Sequence, residues 1–246
     1  MVSTRVRMSG LGRCRRSVSI GEVDVAYVEH GDWDAAHRVL FVHGIPTSSH
    51  LYRNVQTALG PDFHSIAVDL PGYGSSSKPR DYDYGLENLS KALGAFKASV
   101  YGNAPIHVVI HDIGGPIGLG WVVEHPAEVS SLTILNTTVF PERFRPPLVA
   151  MVGGIPALGN WIIKQVPTRA FRRGIRKEFR HGISDADLAG YIAPYEGATG
   201  RDAMAAMAAT FSGYTRSVGF IARLRRALAD IEAPTQVVFG GADRYC

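Results

Sequence analysis

A chain of 246 residues, 46% hydrophobic and 20% charged, is long enough to bury one sizeable core, and folds alternating strands with helices commonly use this length as a single domain. Its formal charge of +4 is concentrated in Arg5, Arg7, Arg13, Arg15 and Arg16; removing these leaves about −1 for the rest, which excludes a broad basic surface for nucleic acid. No run reaches the apolar length of a membrane span, and the basic start lacks the apolar core of a signal peptide, so a cytoplasmic protein with no membrane partner is expected.

Residues 1–16 read as a disordered, solvated basic tail. Cys14 and Cys246 are the only cysteines, and they suggest neither a disulfide framework nor a cysteine-built metal site. Residues 17–20 and 23–28 alternate apolar and polar side chains, predicting a hairpin about Gly21-Glu22. Residues 38–42 form an apolar strand that runs into His43-Gly44-Ile45-Pro46, and Thr47, Ser48 and Ser49 can cap a helix over about 50–59. A glycine just beyond a buried strand lets backbone approach a ligand closely.

A strand over 63–68 leads to Asp69-Leu70-Pro71-Gly72-Tyr73-Gly74-Ser75-Ser76-Ser77. The loop lacks the lysine of a P-loop and its glycines open no apolar helix, which argues against a nucleotide. Residues 84–100 form the crossover helix. Then comes the stretch on which the chain turns, Ile106-His107-Val108-Val109-Ile110-His111-Asp112-Ile113-Gly114-Gly115, an apolar strand that passes through two glycines into a helix over 116–124. Asp112 stands at the bend. An Asp there can be a turn former or helix cap, or, as in a nucleophile elbow, a side chain exposed at the end of a central strand with the next N–H facing the site.

A strand over 131–135 follows. From about 139 to 214 the alternation stops, and Pro141, Pro146, Pro147 and Pro156 punctuate helical pieces at 170–180 and 185–192. Such an insertion after a strand's carboxyl end lies over the crevice of a doubly wound sheet, as a lid. Its basic row, Arg169 to Arg180, reads as a solvated face opposite Phe171, Ile175 and Phe179. A helix over 217–229, a strand over 235–239 and the turn carrying Asp243 complete the sequence.

These motifs resemble the α/β-hydrolase superfamily, and within it the branch with an Asp nucleophile, the haloalkane dehalogenases and epoxide hydrolases. Residues 43–54, His-Gly-Ile-Pro-Thr-Ser-Ser-His-Leu-Tyr-Arg-Asn, are similar to the dehalogenase pattern His-Gly-Asn-Pro-Thr-Ser-Ser-Tyr-Leu-Trp-Arg-Asn. Residues 69–79 resemble its Asp-x-Pro-Gly-x-Gly-x-Ser-x-Lys-Pro loop, and His111-Asp112-Ile113-Gly114 its His-Asp-Trp-Gly elbow. The resemblance implies an α/β-hydrolase fold: a mostly parallel doubly wound sheet over 17–138 and 215–246 with an inserted helical cap over 139–214.

It also implies Asp112 as nucleophile, the Ile45 and Ile113 amides as oxyanion donors, and Asp243 as the acid orienting a histidine. The family's base histidine follows one further strand, so a chain that stops at Cys246 is expected to be C-terminally truncated, lacking that strand, its helix and the histidine. Dehalogenases hold the leaving halide with side-chain N–H groups where this sequence has Ile45 and Ile113, leaving His43 and Trp161 as leaving-group or substrate candidates. Epoxide hydrolases protonate with lid tyrosines, for which Tyr191, Tyr195 and Tyr214 are available.

The expected reaction is cleavage of carbon–halogen bonds in a small apolar substrate through an Asp112 ester, without cofactor or metal. The alternatives are epoxide hydrolysis and a non-catalytic protein that binds a small molecule under the lid. A serine hydrolase is disfavoured because no Gly-x-Ser-x-Gly occurs. The sequence does not specify oligomeric state.

Overall fold

The computed structural model describes residues 13–140, 161, 166 and 168–243. Strands β1 (Cys14–Ile20) and β2 (Val23–His30) form the predicted hairpin, turning at Gly21 with φ 59°. The strand starts earlier than the sequence suggests. Cys14, Arg15 and Arg16, assigned to the tail from their charge, pair with Glu29, Val28 and Tyr27. Their arginines have fixed partners, Arg15 with Asp69 and Arg16 with Glu29, so basic composition here does not mark disorder. The tail proper, 1–12, lies outside the described residues.

Strands β3 (His37–Val42), β4 (Phe63–Val68), β5 (Ile106–His111), β6 (Val129–Leu135) and β7 (Thr235–Val238) complete a seven-stranded sheet of order β1-β2-β4-β3-β5-β6-β7. The hairpin joins antiparallel, and β4, β3, β5, β6 and β7 run parallel. Parallel neighbours need crossovers, which cover both faces and explain why Leu40, Ile66, Val108 and Ile110 are all buried.

Helices α2 (Leu86–Tyr101) and α3 (Gly114–Glu124) pack together on one face, closing a core that includes Leu89, Leu93, Phe96 and Ile117. Full burial of a side chain such as Phe96 contributes roughly 1.5–3 kcal/mol. A smaller cluster of Val39, Phe41, Tyr52 and Ala67 fills the other face beneath α1 (Arg53–Ala58). The sheet's strand–helix alternation, read from hydrophobic pattern, is therefore the architecture found.

After β6 the chain forms α4 (Thr168–Glu178), α5 (Asp185–Ile192) and α6 (Gly200–Arg216), then α7 (Val218–Ala227). Helix α6 runs on through residue 214 to Arg216, and within it Gly213 sits against the backbone of Tyr84 and Gly85 ahead of α2. The four prolines of the insert at 141, 146, 147 and 156 lie outside the described residues. Strand β7 lies outermost, with Val237, Val238 and Phe239 exposed. Among the described residues no helix is long and apolar enough to cross a membrane.

Candidate active site

Strand β5 ends at His111 and α3 begins at Gly114, so the chain must turn at Asp112. It does so with φ 53°, in the left-handed region that costs an L residue energy and that Asp tolerates better than most. The surroundings fix that conformation. The Asp112 N–H donates to Asn136 O at 3.1 Å, and its carbonyl accepts from Gly115 N at 2.9 Å and Thr137 Oγ1 at 2.5 Å. A Cβ on Gly44 would stand 2.2 Å from Asp112 Cβ, and one on Gly114 would stand 2.4 Å from His43 O. Only glycine admits the three segments so close together.

The carboxylate does not cap α3. Ile113 occupies the cap position, without a side-chain hydrogen bond. Asp112 Oδ1 instead accepts from Ile45 N at 2.7 Å, across from the end of β3. Ile113 immediately precedes the first turn of α3, where backbone N–H groups lack intrahelical partners. The end of β3 and the turn after β5 therefore meet at one carboxylate, with the Ile45 amide on Asp112.

His43 is placed differently from expectation. It is fully buried, and its Nε2 accepts from Leu70 N at 3.0 Å. That leaves Nδ1 as the protonated nitrogen, donating to Gly44 O at 2.8 Å. Burial pushes its pKa below the usual imidazole range against the pull of Asp69. With both nitrogens used, this neutral ring is a strut between the Gly44 turn and Leu70, not a substrate or leaving-group contact.

Asp243 lies just beyond β7 and accepts a hydrogen bond from Asn136 Nδ2. The same Asn136 accepts from Gly240 N at 3.2 Å through Oδ1 and from Asp112 N through its carbonyl. One residue just after β6, itself at φ 34°, thus ties the Asp243 turn through its side chain to the Asp112 turn through its carbonyl. Sequence reasoning passed over Asn136 and Thr137 as a strand ending. Nothing local distinguishes them; their roles depend on β5 and β6 being adjacent. His111 lies in the field of both acids. Burial lowers its pKa, Asp112 and Asp243 act to raise it, and its buried Nδ1 has no partner among the described residues.

The aromatic candidates separate. Tyr191 is committed to the seam between α5 and α1: its hydroxyl accepts from Arg53 Nη1 at 3.2 Å, and the guanidinium lies over its ring. Trp161 is 63% exposed, so its indole is not enclosed around a leaving group. Tyr214 is buried in α6. Tyr195 is buried with its hydroxyl unpaired among the described residues, and burial raises its pKa. Tyr73, which the sequence reading left in its loop, is fully buried; its pKa is raised first by burial, then by Tyr195, with a smaller push from Asp112. Among the described residues no group of three or more His, Cys, Asp or Glu could hold a metal ion.

Comparison with known proteins agrees with this fold. Residues 37–161 match the family model described as alpha/beta hydrolase fold. The chain is similar to a cis-3-alkyl-4-alkyloxetan-2-one decarboxylase of Xanthomonas campestris, 31% identical over 71% of this chain and 60% of that protein. It is 40% identical to a haloalkane dehalogenase of Agrobacterium fabrum over 44% of this chain and 34% of that protein. It thus spans less than two thirds of these curated relatives' length. The crystal structure of haloalkane dehalogenase DbeA from Bradyrhizobium elkani superposes with a TM-score of 0.78 at 26% identity, over 93% of this chain and 81% of that one. The chain belongs to the α/β hydrolase fold family.

Proposed function

We propose that this hydrolase acts as the haloalkane dehalogenases do, with Asp112 as the nucleophile. The observation that carries the reading is the 2.7 Å hydrogen bond from Ile45 N to Asp112 Oδ1. It occupies one carboxylate oxygen, leaving Oδ2 to attack an sp3 carbon. A carbon–oxygen bond forms, the carbon–halogen bond breaks, and halide leaves with the bonding pair. The ester carbonyl oxygen is then already on the Ile45 amide. When water adds to that carbonyl, giving its proton to a base, the Ile45 and Ile113 amides face the developing oxyanion. Collapse releases the alcohol and restores the carboxylate.

The base in this scheme is a histidine oriented by Asp243. His43 cannot fill the role, since both its nitrogens are bonded. In this scheme the chain passes through an alkyl ester on Asp112. Intact-mass spectrometry after incubation with a 1-bromoalkane tests this. An alkyl adduct that localises to the peptide containing Asp112, absent in Asp112→Ala, supports the reading; a chain that stays unmodified refutes it.

A second reading, attack on a strained oxygen ring, is favoured by one feature. No side-chain N–H donor stands at Ile45 or Ile113 for a halide, whereas Tyr195 offers a buried hydroxyl, unpaired among the described residues, that could protonate a ring oxygen. Epoxides and four-membered lactones, the latter named for the Xanthomonas relative, are the substrates to compare. Adduct formation with an epoxide, lost in Tyr195→Phe and retained with a bromoalkane, would select this branch.

A further inference from the structure

A second cleft, about 640 Å³ in volume, opens between the loop at 74–78 and the cap, and Asp112 does not line it. Its core-side wall carries Arg15, His50, Lys78, Ser48, Ser75 and Ser77. Across from them stand Ala193, Thr199 and Asp202, the last two at the start of the 17-residue α6. Thr199 makes no side-chain cap on α6, whose first residue, Gly200, donates its N–H to Gly197 O at 3.3 Å.

The charges here do not balance. Asp69 is paired with Arg15 at 3.0 Å, Asp187 with Arg53 at 2.7 Å, and Asp202 with Arg80 at 2.9 Å. Lys78 has no carboxylate within ion-pair distance among the described residues; its Nζ sits on Gly74 O and Ser76 O, both at 2.8 Å. Arg13 likewise has no ion pair among the described residues, and burial together with repulsion from Arg15 and Arg53 lowers its pKa. His50 is lowered by burial and by Arg53, which keeps its ring neutral. Arg13 is repelled by Arg15 and Arg53 beside the cleft, and Lys78, whose pKa burial lowers against the pull of Asp69 and Asp202, lines it; an anion bound here would favour these cations.

Several donors remain available. Arg15 uses only Nη1, on Asp69 and Ser75, leaving Nε and Nη2 without partners among the described residues. Ser48 Oγ accepts from His50 N, which leaves its own hydrogen free to donate. Guanidinium, ammonium and hydroxyl groups approaching from several directions suit a tetrahedral acceptor with oxygens on all sides better than a planar carboxylate. The loop opens no helix, so the donors are mainly side chains, unlike those of a P-loop.

We infer that this cleft is a binding site for a phosphate-type oxyanion, gripped by Arg15 and Lys78 and closed by the cap at Ala193 and Thr199. The site does not depend on the chemistry assigned to Asp112. Its test is titration of the full chain with inorganic phosphate at fixed ionic strength, followed by calorimetry and by phosphorus NMR line width.

Saturable binding at one site is expected, with acetate weaker. Lys78→Gln and Ala193→Glu should each weaken it by about tenfold or more. Ala193 is exposed, so its variant keeps the fold even if loss of the Lys78 loop contacts does not, and circular dichroism confirms this. Asp112→Asn should leave phosphate binding unchanged. No saturable binding, equal affinity in Ala193→Glu, preference for acetate, or loss of binding in Asp112→Asn would each overturn the inference.

Discussion

The Ile45 amide and the Asp112 carboxylate, 67 residues apart in sequence, meet in a 2.7 Å hydrogen bond. The meeting follows from β3 and β5 lying side by side and parallel, so that their carboxyl ends deliver the two turns to one edge of the sheet. In an open α/β sheet that edge is where ligands bind. The strained φ of Asp112, the glycines beside it and the anchoring from Asn136 and Thr137 all serve to hold one carboxylate against one amide.

Gly44→Ala is expected to be severe. The new methyl would lie 2.2 Å from Asp112 Cβ and 2.3 Å from Oδ1, so either the turn or the carboxylate must move. Overpacking of this kind costs about 1–3 kcal/mol, measurable by urea denaturation, and the rate of adduct formation should fall more than the stability does.

Asp112→Gly should behave in the opposite way. Glycine adopts φ 53° without strain, which offsets the lost hydrogen bond to Ile45, so stability is expected to change by less than about 1 kcal/mol while alkylation is abolished. Thermal melts beside mass spectra would check both halves.

The cap is latched to the core through Asp187, which accepts from Arg53 Nε at 2.8 Å and whose carbonyl lies 3.0 Å from His50 Nε2. The Ser184 hydroxyl and Arg53 hold the Asp187 carboxyl below its usual range. A depressed folded pKa means that the latch is fully present above the ordinary carboxylate value and is lost as pH falls through the lower, folded one. Hydrogen exchange in α5 should therefore stay slow through neutral and mildly acidic pH and quicken only in stronger acid. Asp187→Asn should remove that acid step and quicken exchange at neutral pH.

Lys97 is buried on α2, bonded to Glu128 and to Gly102 O at 3.0 Å, with its ammonium 5.3 Å from the Trp121 ring centre. Glu128→Gln, which strands the ammonium, should cost about 3 kcal/mol, whereas Lys97→Met combined with Glu128→Gln should recover much of that loss. Denaturant midpoints of the single and double variants decide it.

How much could be read in advance varied with the kind of signal. β4, β5 and α5 begin and end where the hydrophobic period and the flanking turn residues place them, at 63–68, 106–111 and 185–192. The bend at Asp112 is legible because strand, bend and helix follow one another in a short local pattern, whereas its meeting with Ile45 depends on β3 and β5 being neighbours. Arg15 and Arg16 were misread because charge alone cannot show that Asp69 and Glu29 stand ready to pair with them. His43 and Tyr191 looked like free chemistry until Leu70 and Arg53, distant in sequence, were seen to occupy them. Asn136 was invisible for the same reason, since its function is to join two turns that only the sheet order makes neighbours.

The central claim is that the Asp112 carboxylate captures carbon, and peptide mapping of the chain after exposure to a bromoalkane tests it most directly. The account predicts one alkyl group per chain, on the peptide carrying Asp112 and absent in Asp112→Ala. Modification elsewhere with Asp112 untouched, or alkylation undiminished in Asp112→Ala, would contradict it.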